Sequence, residues 1–147
     1  MARRLLYLSV QHRSISIDHV ATPLPSSRPS GDRVVVVDDL ADAANSLAAA
    51  LELEGFNVRT ANDTASALVV VADHDPICVL TDINMPGPSG VELARRLRAT
   101  YGCSIVLMAV TGSVDDVDPA GAKFADFDYC LRKPVDLARL RRILLPN

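Results

Sequence analysis

Five polar side chains in this sequence follow short apolar runs, where they could act together at one end of a set of strands. They are Asp38, Asp39, Asp82, Thr111 and Lys133. Carboxylates packed together repel one another, so such a group is stable only with protons or with a hard cation. Carboxylate oxygens in this number suit Mg²⁺ or Mn²⁺, which also bind phosphate oxygens. The set therefore indicates a divalent-cation site that could receive an anionic ligand.

The individual groups fit phosphoryl chemistry. Asp82, on the expected central strand, is the natural nucleophile for an acyl phosphate. Lys133 could pair with phosphoryl oxygens as a point charge, and Thr111 could donate a hydrogen bond to one of them. Taken singly, each has an ordinary interpretation, such as a helix cap for Asp39 or a solvated charge for Lys133. Their joint placement at strand ends favours the functional interpretation.

The elements that must position these residues alternate along the chain from Arg33 onward. We expect strands at residues 34–37, 56–60, 77–81, 104–110 and 127–131, and helices at residues 40–54, 63–73, 89–100 and 137–144. Asn62 or Asp63 can cap the second of these helices, and Asp136 the last. Val69, Val70 and Val71 favour a strand by propensity, but the alternation assigns them to a crossover helix. This pattern predicts an α/β domain with one parallel sheet covered on both faces. Working residues in such sheets gather beyond the carboxyl ends of the strands.

The apolar periodicity also predicts which side of each helix faces the core. The inward positions are Leu40, Ala43, Leu47, Ala50 and Leu51 in the first helix and Val91, Ala94 and Leu97 in the third. The arginines of the third helix, Arg95, Arg96 and Arg98, are expected to point outward.

The stretch after Thr111 departs from a regular helical pattern. It contains Pro119 and Gly121, and a proline inside a helix costs about 3 kcal/mol. Asp118 as N-cap, with Pro119 as the first helical residue, avoids that cost. We therefore expect a loop over residues 111–117 and a short or irregular fourth helix over residues 119–125.

The composition predicts one domain and a short appendage. The chain has 147 residues, of which 49% are hydrophobic and 22% charged, as is usual for a globular domain. The N-terminal stretch is rich in proline and serine, which is typical of a linker. We expect a disordered or linker-like tail over residues 1–31 and a single domain over residues 32–147.

Charge and cysteine content suggest where the protein works and what it binds. Residues 1–33 carry five arginines against two aspartates, and the rest carries ten basic and sixteen acidic side chains. Because an acidic body is poorly suited to a phosphate backbone, we expect no nucleic-acid partner.

Cys78, Cys103 and Cys130 lack the spacing of a zinc site and are expected to be reduced thiols of a cytoplasmic protein. No apolar run approaches the roughly 18 residues that span a bilayer, so we expect no membrane partner.

Four motifs, in this order and spacing, resemble the receiver domains of bacterial response regulators and hybrid histidine kinases. They are Val-Val-Val-Val-Asp38-Asp39, Thr-Asp82-Ile-Asn-Met-Pro-Gly-Pro-Ser-Gly, Val-Thr111-Gly and Leu-Arg-Lys133-Pro. The resemblance covers about residues 33–145. It implies a flavodoxin-like (βα)5 fold, with five parallel strands in the order 2-1-3-4-5 and helices on both faces.

The resemblance also implies roles for the polar residues. Asp82 would be the phosphoacceptor, with Thr111 as the switch hydroxyl and Lys133 as the phosphoryl-binding lysine. Mg²⁺ (or Mn²⁺) would be bound directly by Asp39, Asp82 and the main-chain carbonyl of Asn84, and through water by Asp38.

Further positions match or depart from the family pattern. The resemblance implies that the peptide before Pro134 is cis and that Asn84 and Ser113 tune the lifetime of the phosphoryl group. Cys130 stands where family members usually have an aromatic residue, and Tyr129, one position earlier, should point to the opposite face of the sheet. We therefore expect intact chemistry and an altered output surface.

The expected function is that of a stand-alone receiver. It would accept a phosphoryl group from a histidine kinase or a histidine phosphotransfer protein, and a downstream protein would read its phosphorylated state. We expect a monomer or weak homodimer, no output domain after the last helix, and no enzymatic activity beyond self-phosphorylation and autodephosphorylation.

Two alternatives stay open. An interaction module with a receiver fold could bind partners regardless of phosphorylation, since a site can persist without coupling to the output face. A Mg²⁺-dependent phosphohydrolase of the haloacid dehalogenase kind also uses an aspartate nucleophile, but Asn84 stands where those enzymes have a second acid.

Overall fold

Five parallel strands form one sheet in a computed structural model that describes residues 32–112 and 124–145. The strands are β1 (Arg33–Val37), β2 (Asn57–Ala61), β3 (Cys78–Asp82), β4 (Val106–Thr111) and β5 (Tyr129–Arg132). Their order in the sheet is β2-β1-β3-β4-β5 and every neighbouring pair is parallel. The predicted flavodoxin-like topology is confirmed.

Four helices are found within the described residues. They are α1 (Ala41–Leu53), α2 (Thr64–His74), α3 (Gly90–Tyr101) and α4 (Leu137–Leu144). The expected short helix over residues 119–125 lies largely outside the described residues, and residues 124–126 form a turn. The expected tail over residues 1–31 also lies outside them, so the proposed domain division stays a prediction.

The sheet separates two apolar clusters, and β1 contributes to both. Val34 and Val36 pack on the side covered by α1 and α4, whereas Val35 and Val37 pack on the side covered by α2 and α3. Successive side chains of a strand point to opposite faces, so a strand covered on both sides must be apolar throughout. This explains the unbroken run of valines that precedes Asp38.

Helices α2, α3 and α4 begin at a residue whose side chain caps the helix, whereas the N-cap residue of α1, Leu40, makes no such hydrogen bond. Asp63 accepts a hydrogen bond from Ser66 N at 2.7 Å, and Asp136 accepts one from Arg139 N at 3.1 Å. Gly55, just beyond α1, has φ of 100°, a conformation that favours glycine after a helix. The three valines predicted to override their strand propensity lie in α2, so that prediction is confirmed.

The predicted inward position of Leu40 is wrong. This side chain is 63% exposed, and the buried residues of α1 are Ala44, Ala48 and Leu51. Leu40 is the N-cap residue and has an extended backbone, with φ −89° and ψ 108°. Because helical periodicity applies only to residues with helical dihedral angles, the pattern does not extend to it.

The predicted outward position of Arg98 is also wrong. Its side chain is only 15% exposed and its guanidinium group lies 3.1 Å from Asp128 Oδ2. The same group donates to the carbonyl oxygens of Gly102, Ile105 and Asp126. We call these five residues the Arg98 cluster. It lies at the amino edge of the sheet, where β4 and β5 begin, and the reach of the arginine stem makes the burial possible.

Asp128 completes the Arg98 cluster by joining it to β4. Its carboxylate accepts a hydrogen bond from Leu107 N at 2.9 Å, and its backbone N–H donates to Leu107 O at 2.7 Å.

Among the described residues, none of the helices combines the length and apolarity that crossing a membrane requires.

Candidate functional site

The ends of β1 and β3 bring the three predicted acids together. Val37 of β1 is level with Thr81 of β3 in the parallel register, so the residues that follow them emerge side by side. Asp38, Asp39 and Asp82 each place a carboxylate oxygen within 4.8 Å of the others. The edge where the strands end, called the carboxyl edge below, thus gathers three acids in one place.

Lys133 reaches the same place from the end of β5. Its Nζ lies 3.3 Å from Asp38 Oδ2 and 3.6 Å from Asp82 Oδ2. Its backbone N–H donates to Thr111 O at 2.8 Å, which fixes the chain as it leaves the sheet. The Lys133–Pro134 peptide is cis, as expected. We call Asp38, Asp39, Asp82 and Lys133 the acidic cluster.

Backbone groups hold two of the carboxylates in position. Asp38, which is 5% exposed, accepts a hydrogen bond from Leu40 N on Oδ1 at 3.0 Å. Asp82 accepts one from Asn84 N on Oδ1 at 3.1 Å. In both residues the other oxygen, Oδ2, faces Lys133. The carboxylates are therefore oriented before any ligand arrives.

The charge of the acidic cluster is incompletely balanced. Burial raises the pKa of Asp82, opposed by the hydrogen bond from Asn84 and the attraction of Lys133, while Asp38 and Asp39 add to the rise. One ammonium group faces three carboxylates, so the cluster favours a further positive charge. A hard divalent cation with oxygen ligands fits this donor set.

The loop after Asp82 carries the predicted carbonyl ligand, Asn84. Ile83 and Met85 anchor this loop, with exposed fractions of 1% and 8%. Gly90 ends it against the backbone of Asp82, where a Cβ atom would lie 2.2 Å from Asp82 O. The tight packing explains why a glycine closes a loop that must stay beside the acidic cluster.

Thr111 lies at the end of β4, one strand from Asp82, and is 2% exposed. Its carbonyl supports Lys133, as described above. Ser113 lies outside the described residues.

Cys130 packs against the α2–α3 side of the sheet and Tyr129 against the α1–α4 side, so the predicted opposition of these two residues is confirmed.

Sequence reasoning missed two polar residues that contact the site from the junction of β2 and α2. Asn62 donates from Nδ2 to Asp38 O at 2.9 Å, and Thr64 donates from Oγ1 to Pro88 O at 3.0 Å. In the sequence Asn62 suggested only a helix cap, and that role falls to Asp63. The hydrogen bonds join residues 24 positions apart, so local patterns gave no signal for them.

The acidic cluster is reachable from outside the fold. Asp38, Asp82 and Lys133 line a groove of about 530 Å³, whose other walls include Leu47 and Val135. Asp82 is therefore accessible along a mostly apolar surface.

Comparison with known families and structures agrees with this geometry. The family model of the response regulator receiver domain matches residues 34–145. A CheY-like receiver domain from Methylobacillus flagellatus superposes with a TM-score of 0.69 at 30% identity, covering 78% of this chain and 97% of that one. The response regulator protein TrrA from Thermotoga maritima, in complex with Mg²⁺ and BeF, has a TM-score of 0.67 at 25% identity, covering 76% of this chain and 94% of that one.

Curated relatives match a similar share of the chain. The DNA-binding response regulator MtrA of Mycolicibacterium paratuberculosis is 38% identical, over 75% of this chain and 52% of that protein. The transcriptional regulatory protein PrrA of Mycobacterium bovis is 41% identical, over 74% of this chain and 46% of that protein. The chain thus spans about half the length of the curated relatives it matches.

The expectation of no nucleic-acid partner is wrong, because the matched relatives include DNA-binding response regulators. The expectation was drawn from the acidic balance after residue 33. The chain matches only about half of each relative. The charge of that half does not report on DNA binding by the full-length relatives.

Fold, strand-end residues and family match lead to one assignment. The family model covers most of the chain, and the acidic cluster lies at the edge of the sheet where the four sequence motifs placed it. The chain belongs to the family of response regulator receiver domains of two-component signalling.

Proposed function

We propose that the chain accepts a phosphoryl group on Asp82 from a phosphohistidine of a histidine kinase or histidine phosphotransfer protein. The observation that carries the proposal is the acidic cluster itself. Three carboxylates lie within 4.8 Å of one another, and Lys133 Nζ is 3.6 Å from Asp82. This arrangement suits a nucleophile that must meet an anionic group.

Mg²⁺ is the proposed cofactor, held by Asp39, Asp82 and the carbonyl of Asn84, with Asp38 acting through water. When bound, the cation supplies charge neutralisation for the incoming phosphoryl group. The carboxylates of Asp38 and Asp82 are already oriented by backbone N–H groups, so binding requires little rearrangement.

The transfer itself uses Asp82 as the nucleophile. A carboxylate oxygen of Asp82 forms a bond to phosphorus while the bond from phosphorus to the donor's imidazole nitrogen breaks. Lys133 exchanges its carboxylate contacts for phosphoryl oxygens, and the Thr111 hydroxyl donates to another of them. The proton that the departing imidazole takes up comes from solvent.

Phosphorylation would then shift the population of conformations around Thr111, and a partner would read the change. Because relatives of this chain are named as DNA-binding regulators, the proposed reader includes an effector that acts on DNA. We propose no enzymatic activity beyond self-phosphorylation and autodephosphorylation. The thiols of Cys78, Cys103 and Cys130, which form no disulfide with one another, fit a cytoplasmic location.

Labelling with a small phosphoryl donor tests the proposal. The wild-type chain, incubated with acetyl phosphate or phosphoramidate and Mg²⁺, should gain one phosphoryl group by intact-mass measurement. Asp82→Ala should gain none, and EDTA should prevent labelling of the wild type. Asp73→Ala, which changes an exposed acid paired with Arg59, is the matched control and should label normally. Equal labelling of Asp82→Ala and the wild type would refute the proposal.

The interaction-module alternative predicts a different result. Under that alternative, a partner would bind the chain equally well with and without beryllofluoride, a mimic of the phosphoryl group. Under the proposal, the affinity for the partner changes when beryllofluoride and Mg²⁺ are added together, and this change is absent in Asp82→Ala.

A further inference from the structure

The junction between β2 and α2 touches both loops that carry the proposed metal ligands. Asn62 donates from Nδ2 to the backbone carbonyl of Asp38 at 2.9 Å. Thr64, two residues later, donates from Oγ1 to the backbone carbonyl of Pro88 at 3.0 Å. We call Asn62 and Thr64 the β2–α2 brace. One short segment is thus bonded to the loop after β1 and to the loop after β3.

Thr64 holds the far end of the loop after β3. The near end is fixed by the buried side chains of Ile83 and Met85 and by the hydrogen bond from Asn84 N to Asp82. Pro88 lies at the opposite end, just before the N-cap of α3. Thr64 is 2% exposed, so water competes little for its hydrogen bond, which therefore restricts the loop effectively.

Asn62 holds the loop after β1 by a different contact. The Asp38 peptide already donates its N–H to Ala61 O at 3.1 Å, which continues the pairing of β1 with β2. Asn62 adds a bond to the carbonyl of the same residue. Asp38 is thereby held through both its backbone groups by adjacent residues of the β2 end.

We propose that the β2–α2 brace positions the two ligand-bearing loops for cation binding, and that Thr64 is its principal positioning residue. The inference rests on the proposed metal site. Ligands carried on separate loops must be ordered before they can bind one ion, and ordering them beforehand lowers the entropy lost on binding. Residues that support metal ligands from outside commonly change metal affinity about 10- to 100-fold when they are replaced.

Binding of Mn²⁺ to the unphosphorylated chain tests the inference without reference to phosphoryl transfer. Free Mn²⁺ is measured by electron paramagnetic resonance, and Mg²⁺ is added as a competitor. Thr64→Val removes the hydroxyl at nearly constant volume, whereas Thr64→Ser keeps it. Thr60→Val is the matched control, because this substitution makes the same chemical change at a partly buried position on β2. Urea unfolding in EDTA establishes that each variant is folded.

We expect Thr64→Val to raise the dissociation constant for Mn²⁺ about tenfold. Thr64→Ser and Thr60→Val should stay within about twofold of the wild type. A folded Thr64→Val that binds Mn²⁺ as the wild type does would overturn the inference. So would a Thr64→Ser that binds as weakly as Thr64→Val, because the hydroxyl would then be irrelevant.

Asn62→Ala provides an independent arm if Thr64→Val does not fold. The Asn62 side chain is exposed, so its replacement is tolerated by the core. We expect its dissociation constant for Mn²⁺ to rise about threefold, the effect of one lost hydrogen bond, and unchanged binding in this variant would overturn the inference. Failure of the wild type itself to bind Mn²⁺ is a different result, because it removes the metal site of the proposed function.

Discussion

The two edges of the sheet differ in how buried charge is balanced by groups of the chain. At the amino edge, the guanidinium group of the Arg98 cluster pairs with one carboxylate, and its remaining N–H groups donate to three carbonyl oxygens. At the carboxyl edge, the acidic cluster sets three carboxylates against one ammonium group. The first arrangement is complete within the chain, whereas the second favours an additional cation.

The difference separates stability from function. A buried ion pair with all its hydrogen bonds made is destabilising to break, although a well-packed apolar replacement of the whole pair can be as stable. A cluster with excess charge of one sign costs stability, and such clusters concentrate at functional sites. Comparing variants of the two edges therefore tests whether the acidic cluster is specialised for a ligand.

Breaking the Arg98 cluster should have the largest effect on stability. Arg98→Met keeps much of the apolar stem but leaves the carboxylate of Asp128, which is 6% exposed, without its cation. We expect the free energy of unfolding to fall by about 3 kcal/mol or more, measured by urea denaturation. Arg95→Met, at an exposed position of the same helix, is the control and should lose less than about 1 kcal/mol. A similar small loss in both variants would mean that the Arg98 cluster contributes little.

Adding a methyl group at the carboxyl edge should have the next largest effect. In Gly90→Ala the new Cβ would lie 2.2 Å from Asp82 O, so the backbone must move. We expect a loss of about 1–3 kcal/mol in unfolding free energy, typical of overpacking, together with weaker Mn²⁺ binding. Gly112→Ala is the control, because its Cβ would meet no atom of the described residues 32–112 and 124–145 within 4 Å. Normal Mn²⁺ binding by Gly90→Ala would show that the loop tolerates displacement.

Removing one charge from the acidic cluster should have the smallest effect and the opposite sign. Asp82→Asn can keep the hydrogen bond from Asn84 N while it relieves repulsion from the other two acids. In EDTA near neutral pH we expect the unfolding free energy to rise by about 0.5–1 kcal/mol, the range for partly exposed charges. Added Mg²⁺ should stabilise the wild type and not the variant. A variant less stable than the wild type in EDTA would contradict the idea of uncompensated charge.

The difference in unfolding free energy between Asp82→Asn and the wild type should depend on pH, because the pKa of Asp82 is raised. A carboxyl group whose pKa is higher in the folded chain binds its proton more tightly there than in the unfolded chain. Its stabilising contribution is complete below the unfolded pKa and is lost as the pH rises through the folded pKa. The stability gap between Asp82→Asn and the wild type in EDTA should therefore narrow as the solution is acidified.

The sequence alone determined the strands and the residues at their ends. Four successive valines predict a strand covered on both sides, and the acids that follow them must emerge at the carboxyl edge. Asp63 and Asp136 begin helices as predicted. These properties depend on neighbouring residues, which is why periodicity and capping rules identify them.

Only the tertiary structure decided the contacts that join distant segments. Arg98 meets Asp128 across 30 positions, and Thr64 meets Pro88 across 24. A helical pattern treats Arg98 as a solvated charge and Thr64 as an ordinary first-turn residue, because it contains no information about which loop lies opposite. The partners of such side chains are fixed by how the helices dock on the sheet, and docking is a property of the whole fold.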